Sequence, residues 1–404
     1  MTVKIVTKKG GVTAAAGFVA GGVKAGIKQS GGADLALVFS ERPCSAAGTF
    51  TTNKIRASSV DWCESRLPSK EISAVVCNSG CANACTGKRG AKDTAAVAGF
   101  AAARLGIAAD AVLVAATGVI GHFLPLDKIV AAMPGLRAEL AAGGSGGTAF
   151  AEAIMTTDLV RKEAAVEVTA GRKRFTIGGC TKGSGMICPN MATMLAFITT
   201  DAAIAPGRLS AVVKRMVDRT FNNLTVDGDT STNDMVLVLA NGASGVRITD
   251  TTAFAAFEEG LYRVCNDLCM KIAADGEGAT KRVEIRVKGA ATEAEAKKAA
   301  RAVANSNLTK CALFGNDPNW GRIACAVGYS KAKFSDEKMT IRLCGIPVFR
   351  NLQPLTFDQK AAHDALKRKV VLIDIDLGRG TGAAVAHTCD FSYDYVKINA
   401  EYHT

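Results

Sequence analysis

Histidine is the scarcest of the chemically versatile residues in this 404-residue chain: there are four, His122, His363, His387 and His403. None stands in the H-E-x-x-H pattern that puts two zinc ligands on one helix face, and no P-loop occurs. A Ser-His-Asp triad built from so few would rest on no spacing in the sequence. No run of about 18 apolar residues occurs, so no membrane-spanning helix is expected. The N-terminal MTVKIVTKKGG lacks the apolar stretch of a signal peptide. Aromatic residues make up only 6%, and none interleaves with the densest basic runs, Arg172-Lys173-Arg174 and Lys367-Arg368-Lys369. The net charge of +12 therefore lacks the stacking platforms of a nucleic-acid surface. Scattered positive charge suits a solvated surface that steers small anionic substrates.

Apolar residues make up 48% of the chain and glycine is frequent (41), while charged residues are ordinary at 21%. That balance fits a compact α/β enzyme with a sizeable core. Thirteen cysteines without a secretory signal point to free thiols, a reducing compartment and a cytoplasmic location. Cys77, Cys81 and Cys85 lack the paired spacing of a zinc site and have no histidine nearby, so they read as small buried thiols. No metal site is expected.

Along the chain, residues 1–60 read as short strands and loops. A strand over 74–77 runs into a small, polar loop at 78–87, followed by a helix over 91–105 and a buried strand over 111–116 that ends in Thr117-Gly118. Backbone N–H groups at such a strand end can serve as an oxyanion hole or simply make a turn. Gly143-Gly144-Ser145-Gly146-Gly147 matches G-x-S-x-G as text, but no apolar strand precedes it, so a flexible loop is expected. Residues 164–169 and 174–177 read as a hairpin. Helices follow near 208–220 and 254–272, with a buried strand over 235–240 between them. The polar run TVDGDTSTND (225–234) lacks EF-hand spacing and reads as turns and hydrogen-bonding groups. Thr292 and Glu295 form a capping box, and a smaller C-terminal lobe is expected from about residue 282. The last residues look strand-like almost to the end.

The centre of the chain is TKGSGMICPNMATML, residues 181–195. A glycine-rich loop carries Lys182 and Ser184, Pro189 and Asn190 turn the chain, and Ala192-Thr193 head a strand. If the Ala192–Thr193 bond is cut, Thr193 gains a free α-amine beside its own hydroxyl. Such an amine titrates near 7.7–8.0 and can act as the base that activates the hydroxyl. This chemistry needs neither histidine nor metal. A glycine-rich turn feeding an ordinary strand is the competing reading.

Seven stretches carry a resemblance: NSGCANACTG (78–87), ATGVIG (116–121), KGSGMICPNMATML (182–195), TVDGDTSTND (225–234), DGEGATK (275–281), GNDPNWGRI (315–323) and YDYVKINAEYHT (393–404). Their content and order resemble the bifunctional ornithine acetyltransferase family, the glutamate N-acetyltransferases of arginine biosynthesis. Cys81 stands where the family usually has asparagine, and Cys188 where alanine is commoner; both are small. The resemblance implies an α/β fold, an αββα sandwich of the self-cleaving ornithine acetyltransferase type with a smaller C-terminal α/β lobe. It divides the chain into fragments 1–192 and 193–404 after self-cleavage, with a main lobe over about 1–281 and a smaller one over 282–404.

The resemblance further implies Thr193 as nucleophile, Thr117 and Gly118 as the oxyanion hole, and Ala192–Thr193 as the cleavage site. Thr156, Lys182, Thr193, Glu277, Asn399 and Thr404 fall on its substrate-binding positions. Lys182 suits an α-carboxylate, and Glu277 suits an amino group such as that of ornithine. The implied substrates are N-acetylornithine and glutamate, with an acetyl-threonine between them. No cofactor is implied, and acetyl-CoA is a co-substrate in some members only. The implied assembly is two of each fragment, with neither nucleic acid nor membrane as partner. Two alternatives are an amidase or aminopeptidase with water as acceptor, and an acyl-amino-acid binding protein that never cuts itself.

Overall fold

The computed structural model describes residues 3–188 and 194–401. Among these, the strands fall into two sheets. The larger contains β1 (Val3–Lys8), β2 (Phe18–Val23), β3 (Leu35–Phe50), β4 (Ser69–Cys81), β5 (Val112–Val119), β6 (Lys162–Ala170), β7 (Lys173–Lys182), β8 (Leu195–Thr200) and β9 (Met235–Ala240). Its order is β1-β6-β7-β8-β9-β3-β4-β5, with β2 also on β3.

The long strand β3 links two layers. Its first half pairs with β2 and β4, and its second half with β9, from Ser45↔Ala240 to Phe50↔Met235. Register shifts against β4 fall between these halves, at Phe39/Cys44 and Cys44/Ala46. Such irregularities bend a strand and increase its twist. The cores follow this layering. One lies between the two halves of the sheet and joins Ala36, Val38, Val75, Cys77, Leu113 and Ala115 to Leu195, Phe197, Leu237 and Leu239. A second packs β6–β9 against the helices Pro206–Arg219 and Thr251–Ala274. A third packs β3–β5 against the helices Gly87–Leu105 and Leu126–Ala138. The result is helix, sheet, sheet, helix: the expected αββα sandwich.

Strand β8 starts two residues after Thr193 and fixes where that part of the chain enters the sheet. All six of its residues are buried, it runs parallel to β9 and antiparallel to β7, and its sequence LAFITT is continuously apolar or hydroxylic, as a strand covered on both faces requires. Phe197 meets Phe150 edge-on, with ring centroids 5.2 Å apart. Such a pair contributes roughly 0.5–1.5 kcal/mol beyond its buried area.

The second sheet contains β10 (Arg282–Ala290), β11 (Thr340–Leu343), β12 (Ile346–Arg350), β13 (Gln353–Pro354), β14 (Val370–Asp376) and β15 (Gly382–Cys389), in the order β13-β12-β11-β14-β10-β15. It has its own core around Val283, Ile285, Ile341, Val371 and Ile373. The helix Glu293–Ala304 starts at the expected cap, where the Thr292 hydroxyl accepts from the Glu295 N–H at 3.3 Å.

Four local expectations change. The glycine-rich run at 143–147 opens the helix Gly143–Ala153 instead of forming a loop. A Cβ on Gly146 would fall 2.4 Å from the Ala20 carbonyl oxygen, so glycine lets this helix press on β2, and close packing overrides poor helix propensity. Residues 78–81 continue β4 and pair with β5 rather than forming a loop. The strand-like C-terminal residues form the helix Tyr393–Glu401, whose i and i+4 residues Tyr395 and Asn399 share one face. Cys85 is exposed in a turn at φ +59°, unlike buried Cys77 and Cys81.

Candidate active site

Six of the residues singled out from sequence converge on one cavity: Thr117, Gly118, Thr156, Lys182, Glu277 and Asn399. Its volume is about 130 Å³. Ala192, Thr193 and Thr404 lie outside the described residues. Met194 and Leu195, which follow Thr193 in the chain, line the cavity.

Thr117 and Gly118 reach the cavity because β4 and β5 run parallel and end together, with Gly80 opposite Gly118. Both glycines have positive φ, +105° and +124°. A Cβ on Gly118 would lie 2.4 Å from the Gly80 carbonyl carbon, so only glycine fits. Behind them, the Asn233 amide donates to the carbonyls of Ala82 (2.7 Å) and Ala116 (2.8 Å), fixing the strand end from the other side. Gly118→Ala therefore distorts this strand end. We expect a stability loss of about 1–3 kcal/mol together with loss of catalysis, read by thermal melting beside an activity assay.

Lys182 closes β7. Its side chain is buried, and Nζ donates to Thr156 Oγ1 at 2.7 Å and, more weakly, to Thr117 Oγ1 at 3.5 Å. Asp158 Oδ2 stands 4.0 Å from Nζ. Burial pushes the Lys182 ammonium below the ordinary lysine range; Asp158 opposes this, Lys162 adds to it, and Glu277 opposes it again. For Asp158, burial alone would raise the carboxyl. The charges of Lys182 and Lys162, with the Gly183 N–H, outweigh it and hold Asp158 near 2. The cavity lining thus includes a buried cation whose counter-ion, Asp158, is itself buried.

The cavity also carries an acidic side chain. Glu277 follows the helix Thr251–Ala274, and its N–H donates to the Ser184 carbonyl at 2.8 Å. Its carboxylate accepts from the Asn399 amide at 2.9 Å. Gly185 gives it room, since a Cβ there would sit 2.2 Å from Glu277 Oε2.

The run 225–234, read from sequence as turns and hydrogen-bonding groups, grips the chain at residues 186–188. Asp227 accepts from the N–H groups of Met186 (2.6 Å) and Ile187 (2.8 Å), the Thr225 hydroxyl donates to the Ile187 carbonyl (3.0 Å), and the Thr230 hydroxyl to the Cys188 carbonyl (3.0 Å). The Met235 N–H, next after this run, donates to the Met194 carbonyl at 3.1 Å. Burial raises the Asp227 carboxyl. Burial also raises the phenol of Tyr395, helped by the negative charges of Asp227, Glu277 and Asp229 and by a hydrogen bond to Asp227. Sequence reasoning missed Asp158, Asp227, Asn233 and Tyr395 as site residues. The last three lie inside motifs already recognised; for Asn233 the signal available was a polar residue just before the fully apolar strand Met235–Ala240.

Among the described residues, no helix is long and apolar enough to cross a membrane. Comparison with known proteins gives a consistent picture. The ArgJ family model matches residues 19–404. The arginine biosynthesis bifunctional protein ArgJ of Symbiobacterium thermophilum is 51% identical over 400 residues, covering 98% of this chain and 99% of that protein. The protein of the same name from Thermosynechococcus vestitus is 49% identical over 413 residues, covering 98% of each. A crystal structure of arginine biosynthesis bifunctional protein ArgJ from Bacillus halodurans matches with a TM-score of 0.51 at 44% identity, covering 52% of this chain and 100% of that one. With its family model matched through to the last residue and relatives aligned along their whole length, this chain belongs to the ArgJ family.

Proposed function

We propose that this chain is the acetyl-recycling enzyme of arginine biosynthesis: it cuts itself between Ala192 and Thr193, then moves an acetyl group from N-acetylornithine to glutamate through an acetyl-threonine on Thr193. The observation that carries this reading is the cavity that Met194 and Leu195 line, whose lining holds both a buried cation, Lys182, and a carboxylate, Glu277. An N-acetylated basic amino acid offers the complementary pair, an α-carboxylate and a side-chain ammonium. The relatives' shared name, arginine biosynthesis bifunctional protein, supports the same assignment.

The chemistry proceeds in balanced steps. Thr193 Oγ attacks the Ala192 carbonyl carbon, the peptide C–N bond breaks, and water hydrolyses the resulting ester. Thr193 now has a free amine. That amine takes the hydroxyl proton, Oγ attacks the acetyl carbonyl of N-acetylornithine, and the N–H groups of Thr117 and Gly118 receive the oxyanion. The acetyl C–N bond breaks, the proton passes to the departing nitrogen, and ornithine leaves. The neutral amine of glutamate attacks the acetyl ester, and Oγ takes its proton back. One amide is exchanged for another, so no external energy source is needed. Thr156, Asn399 and Thr404 are assigned to holding substrate. Acetyl-CoA is included as a second acetyl source, attacked at its thioester by the same Oγ; N-acetylglutamate formed from acetyl-CoA and glutamate alone tests this.

Two observations support the self-cleavage. The Bacillus halodurans chain is matched in full yet accounts for 52% of this one. A fragment of 404 − 192 = 212 residues is the same share. The cut would also fall between β7 and β8, neighbours in one sheet, so the β7–β8 and β3–β9 ladders would hold the fragments together. Two such units are proposed to pair. The free thiols suit a cytoplasmic location.

The test is a steady-state assay of N-acetylglutamate formed from N-acetylornithine and glutamate. Parallel double-reciprocal lines support ping-pong transfer. Release of acetate without N-acetylglutamate would favour the amidase reading instead. Gly185→Ala should displace the flexible Glu277 carboxylate, raising KM for N-acetylornithine about 10-fold while leaving the melting temperature almost unchanged.

A further inference from the structure

Lys162 opens β6 and has no accessible surface. Its Nζ lies 2.6 Å from Asp158 Oδ1, 2.6 Å from Asp275 Oδ2 and 3.3 Å from the Val160 carbonyl. Asp158 also accepts from the Gly183 N–H (2.7 Å) and the Thr156 N–H (3.0 Å). Asp275 accepts from the N–H groups of Leu159 (3.1 Å) and Val160 (3.4 Å). One ammonium thus joins three turns, and each carries a cavity residue: Thr156 in the first, Lys182 in the second and Glu277, two residues past Asp275, in the third. Burying three ionised groups is costly even when they are paired, and apolar side chains of similar volume could fill the space more cheaply. That cost is understandable where a fixed geometry is needed.

We propose that Lys162 is a positioning residue for acetyl transfer, a buried brace that fixes the separation between the carboxylate-binding Lys182 and the amine-binding Glu277 through Asp158 and Asp275. The claim rests on the assignment of this cavity to N-acetylornithine and glutamate. Lys162 does not line the cavity, so it acts through these neighbours. Its charge also reaches Lys182 directly. The ionisable groups facing Lys182 are Asp158, Lys162, Glu277 and Cys77, with Lys28 behind the β4–β5 strand end. Of these, the cations Lys162 and Lys28 disfavour a proton on Lys182, and the carboxylates Asp158 and Glu277 favour it; the buried Cys77 thiol, pushed up to about 12, is uncharged.

The test uses two variants of the full chain beside the wild type. Lys162→Met with Asp275→Asn removes one cation and one anion together, leaving Asp158 paired with Lys182. Asp275→Asn alone keeps an acceptor oxygen and is the milder change. Both should raise KM for N-acetylornithine and for glutamate about 10-fold or more, with a smaller change in kcat. In the double variant the basic limb of the pH–rate profile should move to higher pH, because Lys182 holds its proton more tightly without Lys162. A merely structural brace predicts lower melting temperatures with wild-type KM values and an unmoved basic limb, and that result would overturn the proposal. If the double variant does not fold, the KM values of Asp275→Asn decide alone. A wild-type chain that transfers no acetyl group would instead defeat the functional reading itself.

Discussion

Thr193→Ala should leave a single 404-residue polypeptide where the wild type is expected to give two fragments, and it should abolish acetyl transfer. The two losses share one cause. Without Oγ no oxygen is available to attack the Ala192 carbonyl, and none to accept an acetyl group. Loss of a covalent nucleophile removes on the order of 10⁴- to 10⁶-fold of rate, and no substrate concentration restores it. The strand that begins at Leu195 is fully buried and anchored by the Phe150–Phe197 pair, so the fold should survive. Thr193→Ser separates chemistry from packing: it keeps a hydroxyl and should retain both activities at reduced rates. A denaturing gel and an N-acetylglutamate assay read all three proteins.

Lys182→Met should reduce kcat/KM about 10²- to 10³-fold, mostly through KM. Removing one member of a buried, hydrogen-bonded charge pair costs about 2–5 kcal/mol, and here the orphaned group is the substrate carboxylate. Methionine roughly preserves volume, and Asp158 keeps Lys162 and the Gly183 N–H as partners. The pH dependence has a definite sign. Carboxylate binding needs protonated Lys182, whose pKa burial has lowered from the usual 10.5, so wild-type activity should fall on a basic limb below the ordinary lysine range. Because the folded state sheds this proton before the unfolded state does, Lys182's own contribution to stability rises over the same window. Activity falling without unfolding would identify the limb as local titration. Steady-state kinetics and melting curves across the same pH series check this.

Much of this site was legible through the motifs that carry the family resemblance, and several of those motifs sit where regular structure stops. Thr117-Gly118 ends a run of apolar residues, and Lys182 ends a hairpin. Glu277 follows the end of a long amphipathic helix. Periodicity marks such boundaries well: the strand Met235–Ala240 appears at its sequence-derived limits, and the helix Thr251–Ala274 within three residues of them. What was not legible depends on contacts distant in sequence. Asn233 fixes Ala116 from 117 residues away, and nothing local to either announces it. Lys162 looks like an ordinary charged residue at a strand start until Asp275, 113 residues later, is brought against it. The glycines at 146 and 147 read as a loop because propensity ignores the neighbour that presses on them. The C-terminal helix misled in a different way: Tyr393, Tyr395, Val396 and Ile398 are strand-favouring residue types, yet Tyr393 and Val396 stand exposed on a helix.

The proposed mechanism turns on whether Thr193 is made into, and used as, a covalent acetyl carrier. Intact-protein mass spectrometry after brief incubation with N-acetylornithine, in the absence of glutamate, tests it most directly. The mechanism predicts two fragments, beginning at Met1 and Thr193, with the second gaining the mass of one acetyl group and losing it when glutamate is added. An uncut chain, or two fragments of which the second never gains an acetyl group while N-acetylglutamate still forms, would contradict it.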